Sequence, residues 1–96
     1  MTSVRLTIRN PSGLHARPAA LFVRTAGQFR SSVTISDPAR ERGPVDAKSI
    51  LSVLSLGVSS GTEIEVAADG EDAEAAIVAL REAVEAGLGE PLDGGQ

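Results

Sequence analysis

Val4, Leu6 and Ile8 alternate with Arg5, Thr7 and Arg9 near the start of the chain. This is the period-two pattern of a strand with one buried face. Asn10-Pro11-Ser12-Gly13 interrupts it with turn formers. From about Ala16 the period lengthens: Ala19, Phe22, Val23 and Ala26 fall on one side of a helix that stops near Gly27. Pro18 lies in the first turn of that helix, where its missing N–H costs nothing, and this places His15 at the N-cap. Val33 and Ile35, between Ser32 and Thr34, predict a second strand. SDPARERGP reads as a polar turn, and a short third strand is expected near Val45 to Ala47. Ser49 reads as the N-cap of a short helix carrying Ile50, Val53 and Leu54, closed by Gly57. Ile64, Val66 and Ala68 alternate with Glu63, Glu65 and Ala67 as a strand ending at Asp69-Gly70.

The last helix has the clearest pattern. Ala73, Ile77, Leu80 and Val84 form its apolar stripe, and Glu71, Asp72 and Glu74 suit the positive end of its dipole. Gly87-Leu88 has the form of a glycine C-cap with its hydrophobic follower. The element order is therefore βαββαβα. One-sided strands and amphipathic helices predict an α+β protein of two layers, a sheet with helices over one face. A single domain is expected over residues 1–88, with residues 89–96 (GEPLDGGQ) a disordered tail.

Composition narrows the chemistry. With 96 residues, 42% hydrophobic and only Phe22 and Phe29 aromatic, one core must be built from Leu, Ile, Val and Ala. There is no cysteine and a single histidine, so disulfides, thiolate metal sites and a structural zinc site are not expected. The start MTSVRLTIRN has no apolar signal region, and no run approaches the about 18 apolar residues that span a membrane. A cytoplasmic protein without membrane insertion is expected.

The net charge of −4 conceals an asymmetry. Residues 1–48 carry eight basic and three acidic side chains, and residues 49–96 carry one basic and ten acidic. Basic clusters interleaved with aromatics, the mark of nucleic-acid binding, are missing. Phosphate or an acidic protein partner suits the basic half better.

His15 is the candidate reactive group. At an N-cap it would stand beside unpaired backbone N–H groups and the positive end of a helix dipole, surroundings that suit phosphate. Arg17 could supply a planar fork for phosphoryl oxygens. A neutral imidazole is a competent nucleophile near pH 7, its reference pKa being about 6.5. A histidine beside an arginine also occurs on ordinary surfaces. No second acid, base or metal cluster and no nucleophile elbow supports a complete hydrolase.

The stretch G-L-H-A-R-P-A at 13–19 resembles the active-site signature of HPr, the histidine-containing phosphocarrier protein of the bacterial phosphoenolpyruvate-dependent sugar phosphotransferase system. K-S-I-L-S-V-L-S-L-G-V at 48–58 resembles that family's second signature, and E-I-E-V-A-A-D-G at 63–70 its strand and turn before the last helix. The resemblance implies an open-faced β-sandwich with a four-stranded antiparallel sheet and three helices. It implies that His15 accepts phosphate on Nδ1 from phosphorylated enzyme I and donates it to the A component of a sugar permease. Arg17, with Ala16 at the helix start, would cradle the phosphoryl group. Ser49 matches a serine that an ATP-dependent HPr kinase modifies in many Gram-positive relatives. Ile50, Leu51 and Leu54 are candidates for partner docking, Leu51 and Leu54 foremost, because so many apolar side chains on a short helix cannot all face inward. No cofactor is implied, and a monomer is expected.

The same carrier chemistry would serve a nitrogen-related relay or a dihydroxyacetone kinase, and a regulatory module acting through phospho-Ser49 is a further alternative. Three features depart from the family pattern: the long turn at 36–47, Ser52 where many members have glycine, and the tail past Gly89.

Overall fold

The computed structural model describes residues 1–90. Its elements are β1 (Thr2–Thr7), α1 (Ala16–Gly27), β2 (Ser32–Asp37), β3 (Arg42–Asp46), α2 (Ile50–Ser55), β4 (Glu63–Asp69) and α3 (Ala73–Glu85). The strands form one antiparallel sheet in the order β1-β4-β2-β3. This is the open-faced α+β sandwich that the periodicity and the family signatures predict.

Register explains why the sheet has one apolar face. Val4 pairs with Val66, Val66 with Ile35, and Ile35 with Val45, so one apolar row crosses all four strands. Leu6 opposite Ile64, and Val33 opposite Ala68, add rows on the same side. Ala19, Phe22 and Ala26 of α1, Val53 of α2, and Ala76, Ile77, Leu80 and Val84 of α3 complete the core. Phe22 is fully buried. Side chains of this kind each contribute about 1.5–3 kcal/mol on burial.

The third strand departs from the expected Val45 to Ala47. Pro38–Arg40 forms a 3-10 turn whose cap, Asp37, accepts a hydrogen bond on Oδ1 from the Arg40 N–H at 3.4 Å. Glu41 then takes a left-handed φ of 58°. The chain reverses within this short turn, so β3 starts early, with Arg42 opposite Asp37 and a register shift between Ile35 and Asp37. Ala47 lies past the strand, although its N–H still reaches the Val33 carbonyl at 2.9 Å. Ile8, expected within the first strand, follows β1 and is tied instead to the 61–62 loop through its N–H and its carbonyl.

The expected boundary at residue 88 also moves. Leu88 is buried, with its N–H on the Ala83 carbonyl at 3.0 Å, and the Glu90 N–H reaches Gly87 at 2.9 Å. Gly89 and Glu90 thus continue the folded domain. Residues 91–96 of the expected tail lie outside the described residues. Among the described residues, no helix is long and apolar enough to cross a membrane.

Candidate functional site

Three contacts shape the loop that leads from β1 into α1. The Gly13 N–H donates to the Asn10 carbonyl at 3.1 Å, and Asn10 Nδ2 donates to the Gly13 carbonyl at 2.9 Å. The Leu14 N–H donates to the Val58 carbonyl at 3.0 Å, which ties the loop to the segment just after α2. Gly13 has φ +62°, and a Cβ there would strike the Val58 carbonyl oxygen. Leu14, only 2% exposed, anchors the loop in the core.

His15 follows as the N-cap of α1, in extended conformation with φ −134° and ψ 147°. Its side chain makes no capping hydrogen bond, so the exposed imidazole is not used up in holding the helix. Ala16, the first helical residue, has φ 49°. An alanine in that left-handed region costs about 1–2 kcal/mol, which marks the helix entrance as strained. Pro18 and Ala19 are buried, so the first turn is pinned from below while His15, Ala16 and Arg17 face solvent. The first turn contains no acidic side chain. It can therefore offer backbone N–H groups and a guanidinium to an anion.

Glu90 enters from the other end of the chain. Its Oε1 accepts from Asn10 Nδ2 at 3.1 Å and from the Ser12 N–H at 3.0 Å, and its Oε2 accepts from Ser12 Oγ at 2.7 Å. The Ser12 hydroxyl first, then Asn10 and the Ser12 N–H, hold this carboxyl below the usual range, and the positive charge of Arg17 adds to the effect. Sequence reading missed Glu90, Asn10 as a buried group, and Val58. Asn10 showed only as a turn former, and nothing local to Glu90 signals a partner.

Ser49 is the N-cap of α2, its Oγ accepting from the Ser52 N–H at 3.3 Å. The candidate docking residues divide. Leu51 is 77% exposed and Ile50 38%, whereas Leu54 is partly buried against the core. Leu54, three residues after Leu51 and four after Ile50, neighbours both on α2, and its side chain reaches from that face toward the core. Arg42 Nη1 donates to the Leu56 carbonyl at 3.2 Å and Arg40 Nη1 to Gly57 at 3.4 Å. Both cations sit at the negative end of α2, where they are favoured.

The family profile described as PTS HPr component phosphorylation site matches residues 2–86. The phosphocarrier protein HPr of Xylella fastidiosa is 46% identical over 88% of this chain and 92% of that protein. A multiphosphoryl transfer protein of Salmonella typhimurium is 41% identical over 92% of this chain, and the chain spans only 23% of its length. Among solved structures, HPr-C-His from Thermoanaerobacter tengcongensis superposes with a TM-score of 0.89 at 46% identity, covering 96% of this chain and all of that one. Fold and matches together define the class, a small phosphocarrier domain of the phosphotransferase system. The chain belongs to the HPr family.

Proposed function

We propose that this chain accepts a phosphoryl group on His15 Nδ1 from phosphorylated enzyme I and passes it to the A component of a sugar permease, working in the cytoplasm. The observation that carries the reading is an exposed imidazole at the entrance of α1 with no capping bond of its own. The ring lone pair forms a bond to phosphorus as the donor's bond to phosphorus breaks, and that electron pair leaves with the donor. The proton on the other ring nitrogen stays in place. Arg17 and the N–H groups of the first turn, Ala16 among them, neutralise the phosphoryl oxygens, and such positioning and charge stabilisation are most of what phosphoryl transfer requires. In the onward step the same events run in reverse toward the permease component.

Ile50, Leu51 and Leu54 are proposed to meet both partners, beside the His15 loop that Val58 tethers. Ser49 is proposed as a regulatory site for an HPr kinase. A phosphate there would add about −1.5 to −2 charges next to that apolar patch, which a docking partner would have to desolvate or repel. A nitrogen-related relay or a dihydroxyacetone kinase would use His15 and Arg17 identically.

The test is phosphate transfer from phosphoenolpyruvate through a bacterial enzyme I, read by intact mass and acid lability. An acid-labile gain of one phosphate is expected on the native chain and on Ser49→Ala, and none on His15→Ala. No label on the native chain with an active enzyme I from the same organism overturns the carrier role.

A further inference from the structure

Glu90 grips the loop ahead of His15 with both carboxylate oxygens, on Asn10 Nδ2, the Ser12 N–H and Ser12 Oγ. We infer that Glu90 is a clasp sensitive to phosphorylation: it closes on the 10–13 loop while His15 is unmodified, and a phosphoryl group on His15 unseats it. This rests on the reading of His15 as the acceptor.

Two anions then compete for one positive neighbourhood. Ser12, which Glu90 holds by its N–H and its hydroxyl, stands three residues before His15, and Arg17 stands two after it. A phosphoryl group brings about −1.5 to −2 charges to that place. It draws Arg17 to itself and repels the carboxylate, so the bonds of Glu90 to Ser12 weaken. The coupling is reciprocal: whatever factor the phosphoryl group takes from the clasp, the clasp takes from the phosphoryl group. An intact clasp thereby makes phosphohistidine easier to discharge. It also gives the two states different faces, since an open clasp exposes the polar groups of Asn10 and Ser12 beside the reactive histidine. A partner that must take phosphate only from the loaded carrier has that difference to read.

The experiment uses potassium phosphoramidate on the full chain at pH 8. The ring nitrogen displaces ammonia at phosphorus: a new P–N bond forms, the old one breaks, and ammonia leaves. His15 is the only histidine, so a single imidazole is modified without any enzyme. Backbone order parameters of Glu90 and cross-relaxation between Glu90 Hγ and Ser12 Hβ are then measured in both states.

In the unmodified chain the Glu90 amide is expected at an order parameter of about 0.85, with the Ser12 cross-peak present. On phosphorylation it is expected to fall below about 0.6, with loss of the cross-peak. Glu90→Gln, which keeps one acceptor and loses the charge, is expected to change less than half as much. A rigid Glu90 with its cross-peak intact in the phosphorylated chain overturns the clasp. Failure of enzyme I to label a chain that phosphoramidate does label overturns the carrier reading instead, so the two failures are told apart.

Discussion

Replacing Gly13 by alanine tests whether contact with the segment after α2 holds His15 in place. At φ +62° an alanine costs about 1–2 kcal/mol on backbone grounds alone. The new methyl would also strike the Val58 carbonyl oxygen and stand 2.8 Å from Ser59 Cα and 3.0 Å from the Ser59 carbonyl carbon. All three are backbone atoms, so no side-chain rotation relieves the clash. The loop must lift, and the first bond to break is that from the Leu14 N–H to Val58, worth about 0.5–1.5 kcal/mol. Leu14 is drawn partly out of the core with it, adding up to about 1 kcal/mol. The total is about 2–4 kcal/mol, a fall in Tm of about 10 °C or more for a domain of this size. Urea unfolding at pH 7 measures the first quantity through the midpoint at constant slope. Displacement of His15 should also slow phosphate uptake from enzyme I about tenfold or more, since a misplacement of about 1 Å can cost that much. A variant within about 0.5 kcal/mol of the native chain would refute the account, because the clash would then be absorbed without moving the loop.

The Asp72 carboxylate accepts from the Arg30 and Ser31 N–H groups, each at 2.9 Å, and from the Ser31 hydroxyl, and the Ser31 hydroxyl above all lowers its pKa to about 2. Because the folded value lies below the unfolded one, this stabilisation is complete above about pH 4 and is lost as pH falls through about 2. Thermal scans of Asp72→Asn should show lower stability at pH 7 and a flatter decline from pH 4 to 2 than the native chain; parallel declines would exclude the effect. Leu51→Ala should leave stability within about 0.5 kcal/mol while slowing transfer from enzyme I, and unchanged transfer kinetics would remove Leu51 from the docking surface. Phe22→Ala should cost about 3–5 kcal/mol in urea unfolding, and a smaller loss would mean that the core closes over the gap.

Most elements were legible because their burial is periodic. β1, β2 and β4 alternate, α1 and α3 repeat every three to four residues, and Ser49 with Gly57 brackets α2. The start of β3 was not legible. Arg42-Gly43-Pro44 shows no alternation, since the strand lies at the sheet edge and all three residues are exposed. Its pairing comes instead from the tight Pro38–Arg40 turn and the register shift opposite it. The different exposures of Leu51 and Leu54 were not legible for a related reason: with only six residues, α2 is too short for its period to say which apolar side chain turns furthest outward.

The site divides along the same line between local and distant information. A cap, a turn and a proline within a few residues mark His15 and Arg17. Glu90 lies in a glycine- and proline-containing stretch that reads as solvated chain, and only the topology gives it a partner. β1 and β4 are antiparallel neighbours with Thr7 opposite Glu63, so β1 ends where β4 begins. α3 follows β4 and runs back over β1, which returns its C-terminal end to the place where the loop toward His15 departs. Val84 and Glu85 indeed line one hollow with Thr7 and Arg9. Any residue shortly after α3 is therefore delivered to the neighbourhood of residues 10–13 by strand order alone. A carboxylate at that position, two residues past the buried Leu88, meets an amide, an N–H and a hydroxyl already turned toward it. Strand order thus brings position 90 to the loop that leads into His15, which no reading of the residues around Glu90 alone could show.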